Sequence, residues 1–427
     1  MDARWKPVAV DELRVGQYLR IGHRWFDHPF VLGTFRISSA SEIAIIRAAQ
    51  LTRLFIDPQR SSTENAVGSA TDPAASTGIN ELEAATDIAA YNARLQSEKA
   101  AHAESVRRQR RLLDQVQQNY HNAVDDCADV QRLFGSGDVD ATQRATALVN
   151  RVLQAGEDCD CSLSFAAADQ PADLSQRLSR QSLDAVAIAG VVGRRMNLPK
   201  ADMSILALSA LAHGVGIERL PENLRDESII TDHGDMLEYQ HYPILSARIL
   251  RGCDDMPEQV EQIVAKHRER LDGNGFPEGL DGDLQPLARL VGVIREFLTL
   301  TRGAKALVPA AALAHIYRNL RTAYGSDVVD PLVAALTVYP PGSYLELTDG
   351  SIGRVIRVSE SERMRPTVWL FDDTVTPAEA DIVDLAAIRS IRVQRVLDPQ
   401  KLVSDVVEFF GGNRWAGLTL SNPSTPV

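Results

Sequence analysis

Cysteine is scarce: the 427-residue chain holds four, Cys127, Cys159, Cys161 and Cys253. That number excludes a disulfide framework. Cys159-Asp160-Cys161 has no second cysteine pair with which to close a zinc site, so the four read as incidental reduced thiols. Long apolar runs are also missing. The longest, Ala185 to Gly193, falls far short of the ~20 residues that span a bilayer, and MDARWKPVAV at the start has no apolar core of signal-peptide length. Basic residues are outnumbered, 45 against 57, for a net charge of -12. This balance excludes sequence-independent binding to DNA or RNA, which needs a basic surface. No phosphate loop, no GxSxG elbow and no dinucleotide fingerprint occurs. The expectation is a soluble, cytoplasmic protein with no membrane span.

What is present divides into stretches of distinct texture. Residues 1–58 are patterned as a small α+β domain: VAVDELRVGQYLRI and WFDHPFVLGTFRI as strands and turns, SASEIAIIRAAQ as a helix, RLFID as a closing strand. Ser41 is the expected N-cap of that helix, with Ile43, Ile46 and Ala49 on one face. Residues 59–80 are rich in Ser, Thr, Asn, Gly, Ala and Pro, the composition of a flexible linker. Residues 81–137 read as one long helix. Leu113, Val116, Tyr120, Ala123, Cys127, Val130 and Phe134 step by three and four along it, an a/d seam of about three heptads. Two readings of this seam stand: it lies on its own domain's core, or it pairs with a second copy in a homodimer through residues 113–134. Residues 138–340 carry repeated amphipathic helical patterns with short connections, an all-α domain. From 341 to 410 the period drops to two, and SYLELTDGSIGRVIRVSE marks a hairpin around Asp349-Gly350, giving a small β extension. Residues 411–427 read as a tail. The fold class is mainly α.

The segment Lys266 to Pro277 reads KHRERLDGNGFP. It resembles HHERLDGSGYP, the signature of the HD-GYP phosphodiesterases, which cleave cyclic di-GMP. The resemblance extends over roughly residues 165–340, and the amino-terminal block resembles the small domain of unknown function that often precedes HD-GYP domains. It implies an HD-type helical fold around two or three iron or manganese ions held by His, Asp and Glu. Such a cluster suits phosphodiester hydrolysis because paired metals clamp the non-bridging oxygens, activate a water and stabilise the leaving alkoxide.

The signature is damaged where the family places its ligands. Gln181, in RQSLDAVAIAG, stands at the first histidine. The HD dyad appears as His213-Gly214, with glycine for the bridging aspartate. The third ligand corresponds to His241 in EYQHYPILSARIL, with spacing one residue longer than the family's HPxxGA. The paired histidines appear as His267-Arg268. Arg295, in GVIREFLTL, replaces the last aspartate, and Leu298 the second aspartate of that segment. Three imidazoles (His213, His241, His267) therefore persist without a carboxylate, and the resemblance implies no full metal cluster. A single Fe, Mn or Zn ion on those three remains as an alternative, giving a weak phosphodiesterase. His23, His28, His233 and His315 carry no ligand spacing.

Arg268 and Arg295 put fixed cations into the site, with Lys266 as a candidate third. Guanidinium groups bind phosphate bidentately. They either hold the phosphates of cyclic di-GMP uncut, or fill a collapsed site by pairing with Glu238 or Glu269. Gly275-Phe276-Pro277 preserves the GYP loop, and Phe276 keeps an aromatic face for stacking on guanine. The function expected is a degenerate member that acts in cyclic di-GMP signalling as a nucleotide receptor or as a scaffold for signalling partners.

Overall fold

The computed structural model describes residues 5–22, 34–61, 81–155, 162–165, 173–302, 306–336, 339–359, 361–373, 375–388, 391–411 and 418–421. His23, His28, Cys159, Cys161 and most of the expected linker lie outside them. The chain forms two compact units, one of residues 1–110 with 372–381, the other of 111–371 with 382–427. The division falls inside the long helix rather than at its start.

The first unit is built on four antiparallel strands, β1 (Lys6–Pro7), β2 (Tyr18–Ile21), β3 (Thr34–Arg36) and β4 (Leu54–Asp57), in the order β1-β4-β2-β3. Helix α1 (Ala40–Ala48) packs beside them through Ile46, which joins Leu19, Ile21, Ile37 and Leu54 in a small core. Its N-cap is Ser39, two residues before the expected Ser41. The Ser39 hydroxyl accepts from the Glu42 amide, while the Glu42 carboxylate reaches back to Ser38. Ala49 is exposed just beyond the helix.

The second unit is helical. After α2 (Glu81–Ser136) come α3 (Ala141–Gln154), α4 (Leu174–Arg195) and α5 (Lys200–Ala212). They are followed by α6 (His233–Tyr239), α7 (Tyr242–Arg251), α8 (Glu258–Lys266), α9 (Pro286–Leu300), α10 (Pro309–His315), α11 (Arg321–Tyr324) and α12 (Ser326–Leu336). Starts are written in sequence: Asp173 caps α4, Asp232 caps α6, and Pro286 opens α9 at a position with no amide to lose. Helix α4 is buried from Ser182 to Gly193, which accounts for the longest apolar run in the chain.

The seam of α2 is consumed inside this unit. Tyr120, Cys127, Val130 and Phe134 are buried in the same core as α3, α4, α5 and α9. Buried polar groups fix the register: the Gln131 amide donates to Ser182 Oγ at 3.0 Å and accepts from Ser179 Oγ at 3.0 Å. Tyr120 donates to Asp184 at 3.0 Å. These positions fit the first reading of the seam, on its own domain's core, while Leu113 is half-buried and outside that core.

Seven strands complete the unit. β6 (Tyr344–Leu347) and β7 (Ile352–Val358) form the expected hairpin, with Asp349 accepting from the Ser351 amide at 2.9 Å. β8 (Thr367–Leu370), β9 (Ile382–Asp384) and β10 (Val393–Leu397) extend it, and a short helix α13 (Ser404–Phe409) follows. Two strands come from stretches read as helical domain and tail. β5 (Ser162–Phe165) pairs with β7 on one side and with β11 (Leu418–Ser421) on the other.

Candidate functional site

The site is assembled at helix ends. His213 follows α5 and His267 follows α8, each as the residue that caps the helix. Each ring faces back along its own helix. His213 Nδ1 lies 2.8 Å from the Ala210 carbonyl, and His267 Nδ1 lies 2.7 Å from the Val264 carbonyl. A carbonyl can only accept, so both Nδ1 atoms carry the proton and satisfy carbonyls that a helix C-terminus leaves unpaired. The Nε2 atoms then hold the lone pairs, and the two rings meet edge to face with centroids 5.5 Å apart.

Both imidazoles are neutral. Burial and the nearby Arg295 push His213 down to about 3, and burial with His213 beside it holds His267 well below its ordinary value. The lone pair of His267 is already used: the Tyr242 hydroxyl donates to Nε2 at 2.9 Å. Tyr242 is fully buried, and burial raises its pKa, so it stays a neutral donor.

His241 is not brought to this pair. It is exposed, and its Nδ1 turns back to the Leu237 carbonyl at 2.8 Å at the junction of α6 and α7. The next residue, Tyr242, is the one that points inward. Read from Tyr242, the sequence Tyr242-Pro243-Ile244-Leu245-Ser246-Ala247 restores the HPxxGA spacing with tyrosine in place of histidine.

Arg268 and Arg295 do meet in the site, with side chains 6% and 5% exposed. Gly292 makes the approach possible. A Cβ there would stand 2.2 Å from the His267 carbonyl oxygen, so α9 runs against the end of α8 only because no side chain intervenes. Arg295 follows three residues later on the same helix. Their partner is Glu227, on a short 3-10 turn spanning Glu227–Ile229. One carboxylate oxygen is 3.2 Å from Arg268 Nη2, the other 3.3 Å from Arg295 Nη2. Tyr239 accepts from Arg295 at 2.9 Å and donates to Glu227 at 3.0 Å, and Thr299 Oγ1 accepts from Arg295 Nη1. Glu296 is a second carboxylate, 3.9 Å from Arg268 and 3.8 Å from Arg270. Burial opposes the charge of Glu227, but Arg268 and Arg295 outweigh it and hold the carboxyl below its usual range.

The partners expected for the arginines are therefore replaced. Glu238 is exposed, and Glu269 serves the loop instead, accepting from the amides of Glu278 at 2.7 Å and Leu280 at 2.9 Å. Lys266 is exposed and takes no part. Gln181 is half-buried on α4. At Gly214 a Cβ would meet only Ile217 Cδ1, at 3.6 Å, so the missing aspartate leaves room rather than a clash. Gly275 is different: a Cβ there would be 2.4 Å from the Arg270 amide nitrogen. The loop lies flat on residues 269–270, and the Phe276 amide donates to the Arg268 carbonyl at 3.1 Å. The Phe276 ring is covered by the Arg268 guanidinium, 4.8 Å from its centroid, and by the edge of Tyr242. His233 is exposed at the start of α6, and His315 Nδ1 meets the Asn319 amide at 3.0 Å, away from the pair.

Sequence reasoning missed Glu227, Glu296, Tyr239 and Thr299. No motif marks them. Only Tyr242 had a signal, in the one-residue excess before proline.

Comparison with known proteins assigns most of the chain to three family models. Residues 162–328 match the HD domain, residues 5–145 a domain of unknown function (DUF3391), and residues 344–405 a KOW domain associated with HD domain. Residues 162–328 are an HD domain. Among curated proteins the chain is similar to cyclic di-GMP phosphodiesterase PA4108 of Pseudomonas aeruginosa, 24% identical over 397 residues, 89% of each chain. It is 28% identical over 151 residues to the cyclic di-GMP phosphodiesterase response regulator RpfG of Xanthomonas campestris, and it spans two-fifths of that protein's length. Among solved structures, Bd1817, an HDG"Y"P protein from Bdellovibrio bacteriovorus, covers 77% of this chain at 16% identity with a TM-score of 0.39.

The metal cluster implied by an HD-GYP domain does not fit these residues. Two imidazoles face each other, one with its lone pair taken by a tyrosine, and two guanidiniums occupy the surrounding space. Among the described residues no three His, Cys, Asp or Glu side chains are grouped to hold an ion. Fixed cations would repel a dication, and the carboxylates of Glu227 and Glu296 are already turned to the arginines.

Proposed function

We propose that the protein works in cyclic di-GMP signalling without hydrolysing the nucleotide. The observation that carries this reading is the Arg268–Glu227–Arg295 bridge beside a tyrosine-capped His267. Organic ion pairs stand where an in-line displacement would need metals. The similarity to cyclic di-GMP phosphodiesterases over nearly the whole chain supports the nucleotide as the signal concerned. Buried guanidiniums support recognition of its phosphates, so the protein acts as a receptor that reads cyclic di-GMP. A cytoplasmic location belongs to the same proposal; no helix among the described residues is long and apolar enough to cross a membrane.

A specific observation favours a second reading, an interaction scaffold for signalling partners: both arginines already have carboxylate partners inside the chain. The weak phosphodiesterase on one Fe, Mn or Zn ion loses support, because His241 lies apart from the other two histidines. The test is turnover of cyclic di-GMP by the full chain, prepared anaerobically with iron or manganese, against a His213→Ala control. The expected result is no linear product above the control. Product above it would return the protein to the enzymes. With no product, a calorimetric titration of cyclic di-GMP separates receptor from scaffold.

A further inference from the structure

We infer that the Arg268–Arg295 pair is an anion seat closed by the chain's own Glu227 carboxylate, and that a phosphate-type anion takes the seat by displacing it. The inference rests on the reading that this site binds rather than cleaves.

Four observations lead there. First, the carboxylate bridges the two guanidiniums at 3.2 and 3.3 Å, longer than the ~2.7–2.9 Å of a tight charge-assisted bond. Second, donors remain over. Among the described residues Arg268 Nη1 and Arg295 Nε are buried with no hydrogen-bond partner, and the Glu296 carboxylate lies 3.9 Å from Arg268 Nη1. A carboxylate has two oxygens, and both of Glu227's are engaged; a phosphate brings further oxygens on a tetrahedral frame for the remaining N–H groups. Third, charge is unbalanced. Arg268, Arg270 and Arg295 face two carboxylates, Glu227 and Glu296, leaving an excess positive charge that a more highly charged anion offsets better. Fourth, Glu227 stands on the water side. It is 28% exposed where the arginines are 5–6% exposed, and the turn carrying it ends in the exposed Ile229. Displacement therefore returns the carboxylate to solvent without opening the core. Asp226, held by Arg177, and Asp232, capping α6, fix the two ends of the segment that would swing.

The experiment titrates inorganic phosphate into the full chain by calorimetry, with chloride at equal ionic strength as control. Glu227→Gln removes the internal anion while keeping its shape. The expected result is at least tenfold tighter phosphate binding than wild type, lost again in Glu227→Gln/Arg295→Gln. A folded Glu227→Gln protein with unchanged or weaker phosphate affinity overturns the inference. Should that variant not fold, hydrogen exchange in the wild type decides. Phosphate, and not chloride, must accelerate exchange of the amides between residues 226 and 232, and no change there also overturns it. Inorganic phosphate probes the seat apart from the nucleotide. Phosphate binding without cyclic di-GMP binding would end the receptor reading and leave the seat.

Discussion

The Tyr242 hydroxyl lies 2.9 Å from Nε2 of His267, on the one ring nitrogen a metal would require. The other ring nitrogen of His267 is committed to the Val264 carbonyl, so the imidazole has no valence left for an ion. The full chain, incubated with iron, manganese or zinc and then desalted, is expected to retain no stoichiometric metal. Excess chelator should leave its thermal midpoint where it was. One equivalent of bound metal that disappears in a His267→Ala protein would refute this.

Removing the carboxylate between the two arginines should be felt throughout the helical unit. Glu227→Ala leaves Arg268 with Glu296 at 3.9 Å and takes from Arg295 the carboxylate that lies 3.3 Å from it. Breaking a buried pair by deleting one partner costs about 3–5 kcal/mol, and the partial exposure of Glu227 places this case at or below the low end. A denaturant midpoint unchanged from wild type would show that the bridge contributes nothing to folding.

Acid should weaken the fold before ordinary carboxylates protonate. His213 and His267 are neutral when folded, and unfolded histidine takes up a proton near ~6.5. Their stabilising contribution is complete above that pH and is lost as pH falls toward the folded values, about 3 for His213. Asp184 acts with the opposite sign. Burial raises it to about 6 against the pull of Arg302, so its protonated form favours the folded chain below that pH. Asp381, which burial also raises to about 6, belongs to the other unit. Within the helical unit two histidines stand against Asp184, so its unfolding free energy should fall as pH drops from about 6 toward 4. Urea midpoints at several pH values measure the slope, and a rise on acidification would contradict the neutral histidines.

The seam of α2 gives a prediction about assembly. Val130 is buried in its own unit's core, so Val130→Asp should lower stability by about 3 kcal/mol or more. Sedimentation should show the folded fraction at the wild-type mass. A stable variant of half the wild-type mass would restore the dimer seam.

Two glycines of the site should respond in opposite ways. Gly275→Ala drives a methyl against the Arg270 backbone and should cost about 1–3 kcal/mol or more. Gly214, with φ of -101° and only an ordinary contact near its missing Cβ, should accept alanine neutrally or with a gain of up to ~1 kcal/mol. Equal losses at both positions would mean that neither contact describes the packing.

Much of the fold was legible because its signals are local. Caps at Asp173 and Asp232, the apolar run of α4 and the Asp349-Gly350 turn each act within a few residues. The pairing of β5 with β11 was not, since it joins segments more than 250 residues apart and neither carries a distinctive pattern. In the site, His213, His267, Arg268 and Arg295 were found because a motif numbers them. Glu227 was invisible: its role depends on a 3-10 turn meeting two helices, and an acidic residue in an irregular stretch looks like any solvated one. His241 was misplaced by a single residue, which at the start of a helix is the difference between facing water and facing the core.

Glu269 holds the DGNGFP loop by two backbone amides, and Gly275 lies flat because that surface admits nothing larger. Neither interaction involves a metal or a substrate. The most recognisable stretch of the chain is thus held by contacts that folding alone explains. A search that ranks proteins by this loop ranks architecture rather than chemistry. The proposed reading turns on positions outside the loop, Gly214, Tyr242, Arg268 and Arg295.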